Sequence, residues 1–178
     1  MRTIRNRFSV ALVFVIAACA ASPVFAAVVE RGPYLQQVTS SSITIRWRTD
    51  SATDAVVRYG ETLGTLDATA VGNQSGVEHE VTVSELAAGT LYYYSVGDST
   101  GALAGGDSSF SFFTAPTDAT SGTRVWVIGD SGTANNNARA VRDAYLSYAG
   151  SQPADIWLML GDNAYDDGTD LEYQAAVF

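Results

Sequence analysis

Between Val28 and Pro116 apolar and polar residues alternate in short runs separated by turn residues. Ser42 to Arg48 alternates strictly and puts Ile43, Ile45 and Trp47 on one face of a strand. Ala55 to Tyr59, His79 to Val83, Leu91 to Val96 and Phe110 to Thr114 repeat the pattern. Five short strands at this spacing predict an all-β sandwich. His79 is expected as an exposed strand residue, and Tyr92, Tyr93 and Tyr94 as alternating core and surface residues. After Thr117 to Thr123, a polar linker, the pattern changes. Arg124 to Ile128 and Asp155 to Leu160 are continuous apolar runs, as in strands buried on both faces. Between them Asn135 to Tyr148 has helical periodicity. Ala138, Val141, Ala144, Tyr145 and Tyr148 share one side, and Gly150 follows. Strand, helix and strand at this spacing predict a βαβ unit with parallel neighbouring strands. A further helix is expected over Leu171 to Phe178.

The amino-terminal 26 residues read as a leader. Arg2, Arg5 and Arg7 precede an apolar stretch of 11 residues, Phe8 to Ala18, which is too short for a stable membrane span. Pro23 breaks it, and Val24 to Ala26 offers a signal-peptidase site, with cleavage expected after Ala26. The protein is therefore expected to be exported, secreted or periplasmic. Ile16 to Cys19 also fits a lipoprotein box anchored through Cys19. With cleavage after Ala26 the only Cys departs, leaving no disulfide to support an exported fold.

Composition narrows the chemistry. The net charge is −9, and loss of the three leader arginines moves it to −12. All ten cationic residues are Arg. Such a balance argues against nucleic acid as a partner, because phosphate backbones require basic patches. It also excludes a phosphate-loop site, which needs a Lys. An acidic protein that handles phosphate needs a metal for its positive charge.

Both apolar runs lead directly into a Gly-Asp pair: Gly129-Asp130-Ser131-Gly132 and Gly161-Asp162-Asn163-Ala164-Tyr165. Parallel neighbours end at the same sheet edge, so Asp130 and Asp162 are expected side by side where α/β sheets bind ligands. Two adjacent carboxylates repel unless a proton or a cation joins them. Hard oxygen donors suit magnesium, manganese or iron. Asp166 to Asp170 reads as a solvated turn. It fails as a calcium loop counted from Asp162, because Asp167 stands where Gly is required.

The paired motifs resemble the first two blocks of the metallophosphoesterase superfamily, and Tyr165 makes the resemblance one to purple acid phosphatases. Leu86 to Tyr92 and Trp47 resemble the tyrosine corner and core Trp of fibronectin type III domains. The resemblance implies residues 27–116 as the sandwich, 117–123 as linker and 124–178 as the opening, incomplete part of an α/β metallophosphoesterase domain. It implies a phosphomonoester hydrolase with two metal ions, Fe(III) plus a divalent Fe, Zn or Mn, activating a hydroxide. Asp130 would bind the first metal, Asp162 bridge both and Tyr165 bind as a phenolate. The remaining ligands would come from later blocks, so these 178 residues alone are expected to be inactive. Ser131 also resembles the nucleophile of GDSL-type serine esterases, a rival reading. An exported sandwich that only binds is the other.

Overall fold

A computed structural model describes residues 26–118, 122–152 and 154–178. The predicted leader and Cys19 lie outside them, as does part of the linker. Eight strands form the sandwich: β1 Val29–Gln36, β2 Ile43–Thr53, β3 Val56–Gly60, β4 Ala68–Val71, β5 Gly76–Val83, β6 Leu91–Asp98, β7 Gly101–Gly105 and β8 Ser111–Phe113. One sheet has the order β1-β2-β5, and the other β4-β3-β6-β7 with β8 also paired to β6. All of these pairings are antiparallel.

The inward side chains of the two sheets meet in one core. Ile43, Ile45 and Trp47 of β2, with Val81 and Val83 of β5, face Val57, Tyr92, Tyr94, Val96 and Phe112. Trp47 is 1% exposed. Tyr92 and Tyr94 point inward while Tyr93 is half-buried, as strand alternation requires. The Tyr92 hydroxyl accepts a hydrogen bond from the Ala87 amide at 3.0 Å, closing the tight turn before β6. Gly89 in that turn has φ +60°, and its amide donates to the Ala115 carbonyl. Residues of the corner thus tie the loop to the end of the sandwich.

His79 departs from expectation. It is 3% exposed and stacks on Trp47 with ring centroids 4.8 Å apart. The two are register partners in the β2–β5 pair. His79 also has the parity of Val81 and Val83, which points it into the core.

Beyond the linker, β9 Val125–Ile128, α1 Asn136–Ala149 and β10 Ile156–Met159 form the expected βαβ unit. The strands are parallel, with Val125 opposite Ile156 and Ile128 opposite Met159. Asn135 caps α1 through its side chain, which accepts from the Asn137 and Ala138 amides. Trp126 stacks on Tyr145 at 4.1 Å and nearly parallel, joining β9 to α1. Burial on both faces is not found among the described residues. Val125, Val127 and the whole of β10 are exposed, because only α1 packs against this strand pair. Tyr148, expected on the apolar side of α1, is 91% exposed for the same reason. The last element, α2 Asp170–Ala176, begins one residue before Leu171.

Candidate metal centre

The register of β9 and β10 brings the two Gly-Asp loops level. The ladder continues past the strands: Leu160 N donates to Ile128 O, Asp130 N to Gly161 O, and Gly132 N to Asp162 O, at 2.9–3.1 Å. Tyr165 N then donates back to Gly132 O at 3.1 Å. Gly132 sits so close to the second loop that a Cβ would stand 2.3 Å from the Ala164 nitrogen. Only glycine permits this approach. Asp130 and Asp162 both take left-handed backbone conformations, φ +57° and +54°. Asp tolerates that region better than most residues, because its short polar side chain bonds locally.

Three side chains converge at this edge. The Tyr165 hydroxyl hydrogen-bonds to Asp130 Oδ1 and to Asp162 Oδ2, the latter at 2.9 Å. A phenol has one proton, so at any moment it serves only one of the two carboxylates. Hydrogen bonding to Asp130 first, then to Asp162, pushes the Tyr165 hydroxyl well above its ordinary ionisation range. No cationic side chain among the described residues forms an ion pair with Asp130 or Asp162. The result is an oxygen-rich cluster in which one phenol hydrogen-bonds to two carboxyl groups.

Its donor set is incomplete for a metal centre. No group of three or more His, Cys, Asp or Glu side chains able to hold an ion occurs among the described residues. The only His of the sequence lies in the sandwich core, where Thr49 bonds it. Ser131 is half-buried beside Asp130, and that His cannot serve as its base. Asp166 and Asp167 are exposed, as a solvated turn requires, but Asp170 departs from that expectation by opening α2 and pairing with Arg31 and Arg48.

Glu172 was not singled out by sequence reasoning, although Thr169-x-x-Glu172 has capping-box spacing. Thr169 caps α2, and Glu172 reaches back to the Thr169 amide at 2.7 Å. The same carboxylate accepts from the Asp166 amide at 2.6 Å and the Asp167 amide at 3.2 Å. It fastens the turn after Tyr165 to the start of α2. These bonds hold Glu172 below the usual carboxylate range, the Thr169 amide contributing most.

Two antiparallel sheets with a tyrosine corner, joined to a βαβ unit with an acidic edge, define a fibronectin type III-like sandwich followed by an α/β segment. Residues 32–115 match the family model described as the purple acid phosphatase N-terminal domain. The match lies wholly within the sandwich, and the chain is similar to purple acid phosphatases. It is 33% identical over 127 residues to Purple acid phosphatase 22 of Arabidopsis thaliana. That match covers 66% of this chain and 26% of the plant protein, so the chain spans about a quarter of the relative's length. Among solved structures, the human contactin 1 fn3 domain is 22% identical with a TM-score of 0.37, covering 62% of this chain and 93% of that one. The sixth fibronectin type III domain of human fibronectin type III domain containing protein 3 is 16% identical with a TM-score of 0.34, covering 58% of this chain and 98% of that one. No helix among the described residues is long and apolar enough to cross a membrane.

Proposed function

We propose that the protein is a metal-dependent phosphomonoester hydrolase of the acid phosphatase type, with Asp130, Asp162 and Tyr165 as part of a binuclear centre. The convergence of these three oxygens at the C-terminal edge of a parallel strand pair carries the reading. The donors fit hard cations: two carboxyl groups and a phenol converge, and a cation among them would relieve the mutual repulsion of ionised carboxylates. Asp130 would hold one ion, Asp162 would bridge two, and Tyr165 as a phenolate favours Fe(III), with a divalent Fe, Zn or Mn beside it. When bound, such a pair neutralises charge on the phosphoryl oxygens and makes water a nucleophile at neutral pH.

Three donors are fewer than two hard cations need at about six each, so further ligands must come from outside residues 26–178. The chain's own part is to hold its three oxygens level through the β9–β10 register. Domain limits at 26, 116 and 123, and export by a leader ending at Ala26, belong to the same reading.

The serine esterase alternative would, like the metal centre, draw its partners from outside residues 26–178, because His79 is buried against Trp47 in the sandwich. The test uses the complete protein and a phosphomonoester. Asp162→Asn abolishes turnover, Ser131→Ala retains most of it, and Tyr165→Phe removes any visible ferric-phenolate absorption. Loss of turnover in Ser131→Ala, or its survival in Asp162→Asn, overturns the assignment.

A further inference from the structure

Arg31 of β1 and Arg48 of β2 stand directly opposite one another in the antiparallel pair. Like charges in that position repel and destabilise a sheet unless an anion lies between them. Glu78 of β5 pairs with Arg48, and Asp170, the first residue of α2, is the anion that reaches both arginines. Its Oδ1 accepts from Arg31 Nη2 at 2.9 Å and its Oδ2 pairs with Arg48 Nη1. The two guanidinium groups, Arg31 foremost, hold the Asp170 carboxyl below the usual range. The contact extends further along α2. Arg31 Nε donates to Gln174 Oε1 at 2.9 Å, and its guanidinium lies 4.5 Å over the ring of Phe178. Phe178 also packs on Tyr34, with ring centroids 5.0 Å apart. Arg31 is 8% exposed while the Asp170 side chain is 58% exposed, so the buried guanidinium, held also by Gln174 and Phe178, anchors a carboxylate at the surface.

From α2 the restraint passes to the acidic edge. Glu172, one turn into the helix, accepts from the Asp166, Asp167 and Thr169 amides. That turn immediately follows Tyr165. Two sets of charge-assisted bonds, joined by the backbone of the first turn of α2, therefore link the sandwich at Asp170 to the turn after Tyr165 at Glu172.

We infer that Arg31 and Arg48 are positioning residues for the Asp162–Tyr165 loop, so that the sandwich sets the geometry of the acidic edge. The inference rests on the metal-centre reading only in what the loop holds. The sandwich restrains the loop whatever ligand it takes.

The experiment compares the whole chain with Asp170→Asn, the Arg31→Gln/Arg48→Gln double variant and Arg48→Lys. Amide hydrogen exchange is read at Asp166, Asp167 and Thr169, with core amides of β2 and β5 as internal controls. In Asp170→Asn and the double variant, exchange in the loop rises about tenfold while the core amides hold, and Arg48→Lys stays within about twofold of the parent. Should the double variant lose its sandwich, Asp170→Asn decides alone, because Asp170 lies outside the sandwich. Loop exchange unchanged in Asp170→Asn overturns the inference. A second arm titrates manganese(II) alone and follows its binding. Affinity falls about tenfold in Asp170→Asn, as for the loss of an outer-shell support. Faster exchange with unaltered manganese affinity overturns the positioning role. Where the parent binds no manganese, as three donors alone allow, the exchange arm decides the restraint.

Discussion

Nε2 of His79 lies 2.7 Å from Thr49 Oγ1, inside the sandwich core. The Thr49 hydroxyl donates to the Ser51 carbonyl at 2.8 Å, so it accepts from His79, and the imidazole is the Nε2–H tautomer. His79 Nδ1 is then a bare lone pair with no partner among the described residues. A proton there would place a buried N–H where nothing accepts it. Burial accordingly lowers the His79 pKa, against opposing charge from Glu78 and Asp54.

A pH dependence of stability follows. The folded pKa lies below the unfolded one, so the unfolded chain binds more protons between them. Full stability is present above the unfolded value of about 6.5 and is lost as pH falls through that value toward the folded pKa. Urea midpoints between about pH 7 and 5 fall for the parent chain and stay flatter for His79→Gln. Parallel curves for the two proteins contradict this account. Asp50 and Asp98, whose pKa values are lowered by bonds to Val28 and Thr100 respectively, add losses at lower pH in both proteins.

Trp47 fills the centre of the same core. Trp47→Ala is expected to cost about 3–5 kcal/mol through lost burial and the cavity left behind. Denaturant unfolding of the chain measures it, and a cost under about 1 kcal/mol removes Trp47 from the core.

Gly132→Ala acts on the acidic edge alone. Its Cβ would press on backbone atoms of Asn163 and Ala164 that have no side-chain freedom to yield. The loops must part, breaking the Gly132–Asp162 and Tyr165–Gly132 bonds, a local loss of about 1–3 kcal/mol. Faster amide exchange at residues 132 and 165, with β2 and β5 unchanged, is the expected signature.

Ionisation of Tyr165 reports on its neighbours. Asp130→Asn and Asp162→Asn each remove a carboxylate that stabilises the protonated phenol, so each lets Tyr165 ionise at lower pH, Asp130→Asn the more. Ultraviolet titration with Tyr165→Phe as reference isolates the signal. An unchanged titration in both variants separates the phenol from the carboxylates.

Much of this fold is readable from periodicity. The paired Gly-Asp loops and the parallel strands follow from two apolar runs around one helix. What escaped has specific causes. β1 contains Glu30, Arg31, Gly32 and Pro33 and reads as a turn, yet it pairs with β2 through two register shifts. β7 is Gly101-Ala102-Leu103-Ala104-Gly105, which lacks strand propensity. It exists because Asp98 organises the preceding turn, accepting from the Thr100 and Gly101 amides, and β6 offers it an edge. Polarity alone puts His79 on the surface, whereas parity with Val81 and Val83 gives the buried face it takes. The pairing of Asp170 with Arg31 and Arg48 spans more than a hundred residues and leaves no local trace.

The continuous ladder from Val125–Ile156 to Gly132–Asp162 also bears on how such a chain can change over generations. Each residue of a strand advances the backbone by about 3.3 Å, roughly the span of one coordinate bond plus a little more. A single inserted or deleted residue in β9 or β10 would move one aspartate out of reach of its counterpart while leaving both in the sequence. Between Arg124 and Tyr165, strand length therefore matters to the edge as much as residue identity does, whereas a change of length on the α1 side would leave the two aspartates level.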